Sequence, residues 1–129
     1  MTDQIFSALM SEAFGSSDRE AYISDLALSS IWGDAEGAEL PADRLDTLGS
    51  IWDAAHLSIK DIRAASGLSQ AAFARHLCIP KRTVEDWERG ARACPGYLRL
   101  LIAEHFGIFR RYEVCKADDP GCSFAWFRN

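Results

Sequence analysis

Residues 79–90, IPKRTVEDWERG, gather donors and acceptors into a short run. Lys81, Arg82 and Thr83 directly follow Pro80, and Asp86 comes one helical turn later. Lysine and arginine only donate, and the arginine fork matches a phosphate or a base edge at two points. Thr83 offers a hydroxyl and a methyl, and Asp86 only accepts. The set suits hydrogen bonding to a polyanion. It fits a helix lying in a DNA groove, and it equally fits an amphipathic helix with a basic first turn.

Other chemistries find no support. No nucleophile–base–acid set, paired carboxylate site or phosphate loop occurs, so an enzyme is not expected. His56, His76 and His105 stand apart without metal-ligand spacing, and Cys78, Cys94, Cys115 and Cys122 form no CxxC pair. Neither a metal nor a cofactor is therefore expected. The four thiols read as reduced and structural, since a free cysteine packs as a small hydrophobe.

Charge is unevenly distributed along the 129 residues. Residues 1–55 hold eleven acids against Arg19 and Arg44, a net of −9. Residues 56–112 hold ten bases against five acids, a net of +5, and residues 113–129 carry −1. Such asymmetry fits a polyanion-binding module joined to an acidic, partner-binding one, although solvated helix faces also cluster charge. An apolar fraction of 48% is ample for a packed core. No run approaches eighteen apolar residues, and the N-terminus lacks a basic stretch followed by a cleavage site. A cytoplasmic protein without membrane contact is expected.

The elements that must position these residues read as helices. Ile5, Phe6, Leu9, Met10 and Ala13 form one stripe, and Tyr22, Ile23, Leu26 and Ala27 a second. Leu45, Leu48, Ile51, Trp52 and Ala55 form a third, interrupted by Gly49. Ser58 and Ser69 are N-caps, Gly67 a stop, and Pro80 a helix entry. A last helix from about Pro95 carries Leu98, Leu101, Ile102 and Phe106. Beyond Gly107 the period changes: RRYEVC and CSFAWF flank ADDPG, the pattern of a β-hairpin that would bring Cys115 near Cys122.

Residues 67–90, GLSQAAFARHLCIPKRTVEDWERG, resemble the DNA-binding module of the phage repressor and Cro family, the XRE-type helix-turn-helix. Gly67-Leu68-Ser69-Gln70, Phe73-Ala74, Leu77, Ile79, Thr83-Val84 and Trp87-Glu88 with Gly90 carry the match. With flanking helices it spans about 58–106. It implies a mostly α fold, a lambda-repressor-like helix-turn-helix bundle at 58–106. An acidic helical segment at 1–57 precedes the bundle, and the hairpin at 107–129 follows it. Phe73, Leu77, Ile79, Val84 and Trp87 would form the small core, with Ala74 where the two helices cross.

The resemblance also assigns roles. Lys81, Arg82, Thr83 and Asp86 match base-reading positions in the major groove, although Lys81 or Arg82 could touch phosphate alone. Gln70, Arg89 and Arg92 match phosphate contacts, with Tyr97 and Arg99 as further candidates. Arg63 and Glu88 match a structural ion pair. The implied partner is double-stranded DNA, bound by a homodimer reading a palindrome, and residues 1–57 are a candidate face for a protein partner. Two departures stand out: Cys78 sits where the family usually has glycine, and Glu85-Asp86 puts negative charge on the reading helix.

Overall fold

Side-chain caps open the helices where the sequence offers them. Thr2 accepts from the Ile5 amide to start α1 (Asp3–Gly15), and Asp18 accepts from Ala21 to start α2 (Arg19–Ala27). After a 3₁₀ turn at Ser30–Trp32 comes α3 (Arg44–Ala55). Ser58 caps α4 (Ile59–Ser66) through the Asp61 amide, and Ser69 caps α5 (Gln70–Leu77) through Ala72. Prolines enter the next two, Pro80 before α6 (Lys81–Glu88) and Pro95 before α7 (Gly96–His105). Proline suits that place because the first amides of a helix have no partner inside it. After α7 comes α8 (Arg111–Cys115). The computed structural model describes residues 1–34 and 39–115, and among them no helix is long and apolar enough to cross a membrane.

The chain divides into two units. One is Met1–Ala55 together with the segment from Arg110 onward, and the other is His56–Phe109. In the first, α1 and α2 pack on α3 and bury Phe6, Leu9, Met10, Tyr22, Leu48 and Ile51. The Tyr22 hydroxyl donates to the Leu9 carbonyl at 2.7 Å, so the phenol is buried with a partner. Burial pushes its pKa upward. The third stripe is shifted from expectation: Leu45 is exposed, while Arg44 is only 6% exposed. Arg44 is tolerated inside because its guanidinium donates to Asp34 and to the Ala27 carbonyl and lies 4.2 Å from the Trp32 ring centre. A buried charge persists where it is paired and hydrogen-bonded.

The expected hairpin is corrected by the structure. Residues 111–115, assigned above to its first strand, form α8, which packs on α3. The Arg111 guanidinium sits 5.0 Å from the Phe6 ring centre. Five residues are too few to separate a period of 2 from one of 3.6, and the neighbouring helix decides between them. The second expected strand, its turn, and the Cys115–Cys122 approach lie outside the described residues.

In the second unit, Ile59, Ile62, Phe73, Ala74, Val84, Leu100, Ile102 and Ala103 form the core. Phe73 and Phe106 stack with ring centres 5.5 Å apart. Leu101, expected inside, is exposed, and Leu100 takes the buried position.

Candidate nucleic-acid interface

Helices α5 and α6 are joined by Cys78, Ile79 and Pro80. The Ile79 amide donates to the Ala74 carbonyl at 2.9 Å, and the Cys78 amide to Arg75 at 3.2 Å. This paired closure of a helix end requires a left-handed residue between its two bonds. Cys78 adopts that conformation with φ 58°, the one non-glycine residue with positive φ among the described residues. The turn thus keeps the geometry that glycine would favour, at the cost of some backbone strain.

Ala74, 2% exposed, lies in the contact of α5 with α6, where a larger side chain would separate them. Val84 is fully buried from α6, while Leu77, Ile79 and Trp87 are half-buried around it. Arg63 on α4 and Glu88 at the end of α6 form a two-point ion pair at 2.8 and 2.9 Å. The Arg63 hydrogen bond holds the Glu88 carboxyl below its ordinary pKa, and a hydrogen bond from Gln70 acts in the same sense.

These contacts leave the first turn of α6 on the surface. Lys81 and Arg82 are exposed and Thr83 is half-buried. Lys81 reaches Glu85 at 3.6 Å across one turn, a solvated pair worth about 0.5 kcal/mol or less. That contact occupies the acid that seemed misplaced on this helix. Arg82 is exposed and makes no ion pair among the described residues.

Asp86 is placed differently from its expected role. It is 7% exposed, and its carboxylate accepts from Arg89 and lies 3.8 Å from the Arg92 Nε. Its carbonyl also accepts the Ala91 amide at 2.9 Å and the Arg92 amide at 3.2 Å, closing α6 around Gly90, whose φ is 79°. Asp86 therefore tethers two arginines of the following loop, with Oδ1 engaged by Arg89 and Oδ2 beside Arg92.

Arg89 and Arg92 themselves remain largely exposed. Gln70 and Arg82 line one concave surface with Arg89 and Lys60, over a floor containing the Arg63–Glu88 pair. Lys60 was missed by sequence reasoning. Its place in the first turn of α4, three residues before Arg63, was the available signal. Arg99 turns inward, donating to the Leu57 carbonyl at 2.7 Å, while Tyr97 is exposed. Cys94 is half-buried, and burial pushes its thiol up to about 11.

The helical fold of the second unit agrees with comparison to known proteins. The helix-turn-helix family model matches residues 59–108. The chain as a whole matches no curated protein and no solved structure. Residues 59–108 are a DNA-binding helix-turn-helix domain of the phage repressor and Cro type.

Proposed function

We propose that the protein is a cytoplasmic, sequence-specific transcription regulator that represses by binding double-stranded DNA as a homodimer. The observation that carries this is the first turn of α6, where exposed Arg82 stands beside Lys81 and Thr83. In a helix-turn-helix this turn enters the major groove. Arg82 and Lys81 donate to guanine O6 and N7, and Thr83 meets a thymine methyl or a polar base edge. Gln70, Arg89 and Arg92 hold phosphates, and Lys60 shares one concave surface with Gln70 and Arg89. Such contacts set register and salt dependence without carrying sequence information. Two copies read the two halves of a palindrome, one helical turn apart.

Selection of bound sequences from random duplex DNA tests this, repeated with Arg82→Ala and Thr83→Ala. Wild type enriches one motif at about 100 mM salt, and each variant relaxes preference at one base position. No enrichment by wild type ends the specific-regulator proposal. Weaker binding with unchanged preference reduces the two residues to phosphate contacts.

A second function is favoured by the −9 charge of residues 1–55. An antitoxin or adaptor would grip a basic protein with that half while the helix-turn-helix regulates its own gene. A small basic toxin encoded beside this protein, and co-purifying with it, distinguishes this from a free-standing repressor.

A further inference from the structure

His76 and His105 are 29 residues apart in sequence, yet their Nε2 atoms lie 2.8 Å from each other. His76 belongs to α5 and His105 to the last turn of α7, both within the His56–Phe109 unit. Both residues are exposed, and both rings rest against Phe106, His76 tilted at 5.2 Å between centres and His105 nearly perpendicular at 5.1 Å. Phe106 stacks in turn on fully buried Phe73. The two imidazoles are thus backed by a rigid aromatic wall, and their ring nitrogens converge at the surface.

We propose that this pair is a two-histidine site for a divalent transition-metal ion of the imidazole-preferring kind, such as Ni2+, Cu2+ or Zn2+. Metal–imidazole bonds are about 2.1 Å long. Two such bonds at a right angle place the nitrogens about 3.0 Å apart, and at a tetrahedral angle about 3.4 Å. From 2.8 Å the pair opens by about 0.2–0.6 Å to admit the ion, a movement that exposed side chains make by small rotations. The proton between the two nitrogens moves to the Nδ1 of its own ring, so that each Nε2 offers a lone pair to the ion.

Among the described residues no group of three or more metal-ligating side chains gathers. Among the described residues the site has two protein ligands, and water fills the other positions. Hard, oxygen-preferring Mg2+ gains little from such a site. Because one ligand lies on α5 and the other on α7, a bound ion clips the two helices together. Any ligand that binds the folded state alone raises its stability. None of this depends on what α6 recognises.

Titration of the untagged full-length protein with Ni2+ near pH 7.5, by calorimetry and thermal unfolding, tests the site. Ni2+ is chosen because it favours imidazole over thiolate ligands. One ion binds per chain, and saturation raises the unfolding midpoint by roughly 5 °C. His76→Ala and His105→Ala each weaken binding by about tenfold or more and abolish the rise, with helical content unchanged. His56→Ala and wild type with Mg2+ serve as controls: the first keeps the Ni2+ response and the second shows none. No Ni2+ response in wild type overturns the proposal. So does a response that survives in His76→Ala or His105→Ala, or is lost in His56→Ala.

Discussion

Arg63 and Glu88, 25 residues apart, are joined by two parallel hydrogen bonds of 2.8 and 2.9 Å, and Arg63 also donates to the Leu68 carbonyl at 3.2 Å. The Glu88 side chain is 6% exposed and that of Arg63 is 23% exposed. One guanidinium thus ties the end of α6 to α4 and to the loop that precedes α5. Two-point geometry and low exposure distinguish this pair from the solvated ion pairs elsewhere on the molecule.

Removing the arginine strands a nearly buried carboxylate. Arg63→Ala is expected to lower stability by about 3 kcal/mol, the low end of the range for a broken buried pair because Arg63 keeps some solvent contact. Urea unfolding followed by circular dichroism measures the loss. A change below about 0.5 kcal/mol would show the pair to be energetically idle.

Acid should weaken the same contact. A carboxyl with a lowered pKa contributes stability that is complete above its ordinary value, near 4.5, and lost as pH falls through the lowered value. Stability measured between pH 6 and pH 3 should fall more steeply in wild type than in Glu88→Gln, which has no proton to take up there. Parallel curves would exclude Glu88 as a source of the acid sensitivity.

Asp86 separates base reading from positioning. If its work is to tether Arg89 and Arg92, Asp86→Asn weakens DNA binding by a similar factor on every sequence and leaves the preferred motif intact. Stability drops by about 1 kcal/mol, since the arginines it releases stay solvated. A new preference confined to one base pair would instead restore Asp86 to the reading set. Selection from random duplexes distinguishes the two outcomes.

Cys78 should gain from becoming glycine. Relief of the left-handed strain, about 1–2 kcal/mol, exceeds the unfolded-state entropy that glycine adds, about 0.5–1 kcal/mol. Cys78→Gly is expected to stabilise by about 0.5–1 kcal/mol, while Cys78→Val destabilises, because a β-branched residue tolerates positive φ least. Thermal unfolding of the two variants reads both signs, and equal midpoints would contradict the strain.

Arg44→Lys tests the buried arginine of the N-terminal unit. An ammonium cannot reproduce the fork that spans Asp34 and the Ala27 carbonyl. The unfolding midpoint should fall by roughly 5 °C. An unchanged midpoint would reduce Arg44 to a space-filling role.

Local chemistry accounts for what was legible in sequence alone. Ser58, Ser69, Pro80 and Gly67 act within a few residues of themselves, so their types marked the helix ends that the structure has. The ordered run from Gly67 to Gly90 carried the resemblance to the helix-turn-helix, because the spacing of core residues is a property of the chain, and the Arg63–Glu88 pair was what that resemblance implied. Tertiary packing decided the rest. Leu45 and Leu101 were expected on the apolar stripes, yet only the neighbouring helices determine which side of a stripe is covered, and both are exposed. Residues 111–115 became a helix by docking on α3. IPKRTVEDWERG shows Asp86 as one more polar residue on the reading helix, while the fold buries it against Arg89. His76 and His105, without any ligand spacing in sequence, were brought to 2.8 Å by the packing of two helices. Periodicity in one helix reports a face, and contact between faces is a property of the whole fold.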